Sequence, residues 1–105
     1  MNLNITFNAP SLKRDGSILI MKDINENLEI LAEYFGDIEC VEIKLYDTLE
    51  DNKHNDKAVF ISVKYENEIY IKYRISGSWD KVIKDVFGSL IAAMEIRNLD
   101  LLLID

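Results

Sequence analysis

Ser17-Ile18-Leu19-Ile20-Met21 is the run on which the architecture turns. Its apolar residues follow one another without polar alternation, the pattern of a strand buried on both faces. Before it, residues 9–16 read as a loop holding the only proline, Pro10, and an Asp15-Gly16 turn signal. Upstream of that loop, Leu3, Ile5 and Phe7 alternate with Asn4, Thr6 and Asn8, as in a half-buried strand. Two strands therefore open the chain.

Downstream, Asp23 and Glu26 form a variant capping box at the start of a helix. Ile24, Leu28, Leu31 and Phe35 give that helix its buried stripe, and Gly36 is placed to end it. Residues 39–46 alternate again, with Val41, Ile43 and Leu45 against Glu42 and Lys44, and a polar loop follows over 47–57. Residues 58–65 and 69–76 read as a hairpin closed by Glu66-Asn67-Glu68, with Val59, Ile61, Val63, Ile69, Ile71, Tyr73 and Ile75 on its core face. Ser78 is an N-cap for a second helix, whose stripe is Trp79, Val82, Ile83, Val86, Phe87, Leu90, Ile91 and Met94. Gly88 interrupts that helix at a cost of about 1 kcal/mol relative to Ala, which points to a close helix–sheet contact. Leu99 to Ile104 read as a last short strand. The expected class is α+β: a mostly antiparallel sheet of five or six strands with two helices packed on one face, in the order ββαβββα with an optional terminal β.

The 105 residues suit one domain spanning 1–105, with no repeat, low-complexity tract or linker to divide it. At 49% hydrophobic and 30% charged, the composition is that of a globular protein able to bury a core without disulfides or metal. Cys40 is the only cysteine, which excludes an internal disulfide and fits a reducing compartment. No apolar run reaches the roughly 18 residues of a membrane span, and the alternating N-terminus lacks the plan of a signal peptide. A cytoplasmic protein without membrane contact is expected.

Charge is the strongest surface signal. Residues 22–56 hold eleven Asp/Glu against three Lys, a local net charge of −8 in a chain whose total is −7. Glu26, Glu29 and Glu33 recur on the outer face of the first helix, Asp37, Glu39 and Glu42 carry the charge onward, and Asp47, Glu50 and Asp51 extend it into the loop. Carboxylates with so few compensating lysines repel one another, and a basic partner would relieve that repulsion and be steered toward it. These nine residues are the candidate partner-binding surface.

Catalytic signals are weak. His54 lies in a polar loop, Cys40 sits among acids that disfavour a thiolate, and no phosphate loop, HExxH or paired-cysteine zinc signature is present. No enzyme activity, cofactor or metal is expected. A rival surface is the outward side of the hairpin, where Phe60, Lys64, Tyr70, Lys72 and Arg74 interleave cations with aromatics, as sheets that stack single-stranded bases do.

Two family resemblances bear on function. A chain of this size, with its dense carboxylate surface and no catalytic set, resembles the small acidic immunity proteins of bacterial contact-dependent and other polymorphic toxin systems. That resemblance implies a non-enzymatic inhibitor that blocks a cognate toxin domain, often a basic nuclease. Because the acidic field repels nucleic acid, no nucleic-acid partner is expected. Leu3-Asn4-Ile5-Thr6, Tyr34-Phe35 and the alternating Val41 and Ile43 are similar to ribosome hibernation factors. This second resemblance implies an RNA- or ribosome-binding module. The chain departs from those factors in having no Lys or Arg between Ile24 and Phe35, and in the extra strand read at 17–21. For either function the protein is expected as a monomer, or as a homodimer joined through the apolar C-terminal strand.

Overall fold

The computed structural model describes residues 1–10, 12–47 and 56–103, with side chains up to Leu99. Four strands and two helices follow in the order βαβββα: β1 (Asn2–Asn8), α1 (Arg14–Tyr34), β2 (Cys40–Asp47), β3 (Lys57–Tyr65), β4 (Glu68–Ser76) and α2 (Trp79–Leu103). The sheet runs β1-β2-β3-β4, with β1 parallel to β2 and the remaining pairs antiparallel. The α+β class stands, but the sheet is mixed and has four described strands rather than five or six.

The correction begins at residues 17–21. They lie inside α1, which starts at Arg14 and takes in Asp15 and Gly16 as its first turn. Parallel neighbours cannot be joined by a tight turn and need a crossover, usually a helix, and α1 is that crossover between β1 and β2. Within it only Ile20 joins the buried stripe of Ile24, Leu28 and Leu31, whereas Ile18 and Leu19 are exposed. An apolar run is thus split by the helical period into inward and outward members. The helix ends as Phe35 N–H donates to Leu31 O, and the left-handed residue beyond is Asp37 (φ 59°), not Gly36.

The second correction is at the other end. Residues 99–103 continue α2, which is 25 residues long, so no terminal strand forms there and none offers a dimer edge. Ser78 does cap α2: its Oγ accepts from Lys81 N–H at 3.5 Å. Both helices cover the same face of the sheet. Val41, Ile43 and Leu45 from β2, with Val59, Ile61, Val63 and Tyr65 from β3, share one core with Ile24, Leu28 and Leu31 of α1 and Val82, Val86, Phe87, Leu90 and Met94 of α2. Gly88 is exposed, and a Cβ built on it meets nothing within 4 Å, so it marks no close approach.

Candidate functional site

Strand register decides what each face of the sheet presents. The β3–β4 hairpin closes on two residues, Glu66 (φ 51°) and Asn67 (φ 65°), so that Tyr65 pairs with Glu68. Two successive left-handed residues make the type I′ geometry that matches strand twist. A three-residue Glu66-Asn67-Glu68 loop would shift the pairing by one, and a shift of one exchanges the two faces of a strand. Tyr70, Lys72 and Arg74 accordingly pair with Val63, Ile61 and Val59 and lie on the helix side. Ile69, Ile71, Tyr73 and Ile75 pair with Lys64, Ser62, Phe60 and Ala58 and lie on the open side. The expected basic and aromatic face is therefore divided: Phe60 and Lys64 are on the open face, and Tyr70, Lys72 and Arg74 are on the other.

On the helix side, β4 and α2 bring Lys72, Arg74 and Lys81 to one edge of the sheet, with the exposed Asp85 one helical turn from both Lys81 and Ser89. Arg74 is exposed and donates from one guanidinium nitrogen to Ser89 Oγ at 2.7 Å and from the other to its neighbour's carbonyl, Tyr73 O, at 2.8 Å. Arg97 of α2 meets Glu68 of β4 at 3.1 Å. Lys72 lies between these tethers on the strand, and Lys81 is two helical turns before Ser89 on α2. Tyr70 is half-buried against the core beneath this edge, and burial, reinforced by the Glu68 carboxylate, pushes its phenol above the ordinary range.

The seven described members of the nine candidate acids are not gathered at one place. Glu26, Glu29 and Glu33 are exposed along α1, and Asp37 is exposed in the turn beyond it. Glu39 lies 3.3 Å from Lys64, and Glu42 lies 3.2 Å from Lys44 on the open face of the sheet. These two carboxylates are thus neutralised by the chain's own lysines and belong to the layer opposite α1. Asp47 is half-buried at the end of β2. Glu50 and Asp51, like His54, lie outside the described residues.

Sequence reading overlooked one acidic contact. Asp23 of α1 and Asp80 in the first turn of α2 meet in the groove between the helices. Partial burial, the hydrogen bond to Asp80 and the repulsion of Asp80 and Glu26 raise the Asp23 carboxyl above its usual range, against a smaller opposing pull from Lys22. The residues are 57 positions apart, and no local pattern joins them. Among the described residues no group of three or more His, Cys, Asp or Glu could hold a metal ion, and no helix is long and apolar enough to cross a membrane.

Neither a protein-family model nor a curated protein matches the chain. Solved structures do match its fold. One is a ribosomal subunit interface protein from Coxiella burnetii, at 14% identity over 94% of this chain and 99% of that one, with a TM-score of 0.65. Another is the N-terminal domain of Protein Y from Thermus thermophilus, at 9% identity over 86% of this chain and 96% of that one, with a TM-score of 0.53. The fold is thus one that a ribosomal subunit interface protein adopts. Of the two resemblances read from the sequence, the one to ribosome hibernation factors agrees with this fold. The immunity-protein reading, with its toxin partner, contact-dependent inhibition and exclusion of nucleic acid, is overturned by the same likeness. The departure noted at residues 17–21 also disappears, because those residues are helical.

Proposed function

We propose that this protein binds the ribosome and acts by occupying a site there rather than by turning over a substrate. The observation that carries this reading is the fold likeness to a ribosomal subunit interface protein over nearly the full length of both chains. A ribosomal partner would bring contact with RNA and a cytoplasmic location. The contact surface is the edge made by β4 and α2, where Lys72, Arg74 and Lys81 are charged groups suited to phosphate. Supporting this choice, α2 stands between that edge and the carboxylates of α1, which would be held away from the RNA. Attraction to phosphate of this kind weakens steeply with salt as counterions are released.

Co-sedimentation of the purified protein with ribosomes and with separated subunits through a sucrose cushion tests the proposal. At about 100 mM salt the wild type should pellet with at least one subunit, and the pelleted fraction should fall with rising salt. Lys72→Glu combined with Arg74→Glu should weaken binding by at least about tenfold. A wild type that stays in the supernatant at every salt concentration refutes ribosome binding. Undiminished pelleting of the double variant moves the contact away from this edge.

A further inference from the structure

We propose that the open face of the sheet is a self-association surface, on which two copies of this chain pack face to face about a two-fold axis. This inference goes beyond ribosome binding, which is assigned to the opposite side of β4. Ile69, Ile71, Tyr73 and Ile75 occupy four successive positions of one row and are 63%, 57%, 49% and 56% exposed. Phe60 stands directly across from Tyr73 and continues the row inward. Exposed apolar side chains scattered singly need no explanation, but a contiguous row of this kind marks a contact surface.

Charge selects the occupant. Among the described residues, the charged side chains of the open face are Glu42, Lys44 and Lys64, and each belongs to an internal pair: Lys44 with Glu42 at 3.2 Å, Lys64 with Glu39 at 3.3 Å. Lys44 also lies over the Phe60 ring, 5.6 Å from its centroid. A nucleic acid would need cations that are not already compensated, and a strongly basic protein would need uncompensated carboxylates. A second copy needs neither. For a chain of net charge −7, association through the carboxylates of α1 would be opposed by like-charge repulsion, and this neutral face avoids it.

Size and shape fit as well. Four strands about 4.8 Å apart, with a rise of about 3.3 Å per residue, present a face of roughly 20 by 25 Å. That is roughly 500 Å² per partner, or roughly 1,000 Å² over both copies, the size a biological interface needs to clear. A shallow hollow of about 330 Å³, bordered by Cys40, Ser62, Lys64 and Ile69, lies at the end of the open face where the β4 row begins. A two-fold axis sets the open face of each copy against the same face of the other, the self-complementary arrangement an isologous dimer requires.

Sedimentation equilibrium of the full chain from about 1 to 100 µM, a range that spans micromolar affinity, tests this. The wild type should be a reversible dimer. Ile71→Glu with Tyr73→Glu should weaken association at least a hundredfold, since two carboxylates would be buried against their copies. Ile71→Thr with Tyr73→Thr, which keeps strand propensity and guards against misfolding, should weaken it by a smaller factor. Alkylation of the exposed Cys40 should slow as the wild-type concentration rises, become independent of concentration in the double Glu variant, and show an intermediate dependence in the double Thr variant. A wild type monomeric throughout the range overturns the proposal, as does a dimer indifferent to both variants. So does a monomer that binds a single-stranded oligonucleotide and loses it on Tyr73→Thr. A monomer that still pellets with ribosomes sinks this inference alone, and a dimer that does not pellet supports it while refuting the ribosome reading.

Discussion

Ile61 and Ile71 stand on neighbouring strands one register position apart, yet Ile61 is fully buried and Ile71 keeps more than half of its surface in contact with solvent. The same contrast holds for the two faces of the sheet as wholes. On the covered face, Val41, Ile43, Leu45, Val59, Ile61 and Val63 meet both helices in one core. On the open face, the β4 row and Phe60 lie beside internally paired charges. Side chains of the same type therefore hold the fold together on one side and remain available for a partner on the other. Apolar character does not distinguish the two roles; what lies over the side chain does.

The largest test of this contrast is Ile61→Ala, which removes buried methylenes and leaves a cavity among packed neighbours. It should cost about 2–5 kcal/mol in urea denaturation. Ile71→Ala, measured on dilute protein, should stay within about 0.5 kcal/mol of wild type. Equal losses at both sites would show that the open face is covered within the monomer.

Gly88→Ala adds a methyl group on the exposed side of α2, where a Cβ meets no neighbour. Relief of backbone entropy should stabilise the protein by about 0.5–1 kcal/mol, seen as a higher Tm with unchanged cooperativity. A loss of stability instead would place a close contact there after all. Glu66→Asn comes next. Glu66 holds φ 51° at the turn that sets the β4 register, and Asn tolerates that conformation better, so a gain of about 0.5 kcal/mol is expected. A loss would show that Glu66 earns its place through its side chain, which hydrogen-bonds the Tyr65 phenol.

The smallest effect should come from Asp23→Asn. The folded-state pKa of Asp23 is raised, so the folded protein holds a proton at pH values where the unfolded chain has released it. Its contribution to stability is greatest below the unfolded value of about 4 and declines as the pH climbs through the window above it. The variant should escape that decline and gain on wild type as pH rises, by no more than about 0.3 kcal/mol because the site is largely open to screening solvent. Stability curves for the two proteins that run parallel across this window would show that Asp23 does not titrate abnormally.

Much of the covered face was legible in the sequence. Val41, Ile43 and Leu45 alternate, the α2 stripe follows the helical period, and Ser78 announces its cap. Three features were not. Residues 17–21 look alike as strand or helix because every member is apolar or small, and the choice rests on a parallel pairing between residues about forty positions apart. The face of each β4 side chain depends on whether the turn holds two residues or three, and Glu66 is an unusual occupant of a left-handed turn position. Closeness in sequence leaves open whether the acidic block is one patch, and the described members divide between α1, the turn beyond it, the open face of the sheet and the end of β2.

Local chemistry was sufficient to establish which residues are apolar, where the periods of two and 3.6 run, and how lopsided the charge is along the chain. These properties depend only on near neighbours. Strand order, the parallel pairing, the side on which Tyr73 and Arg74 emerge, and the distance from Asp23 to Asp80 were decided by the folded chain alone. Each depends on contacts between distant segments, and the free energy of such contacts comes from burying surfaces that meet only after the backbone has closed around them.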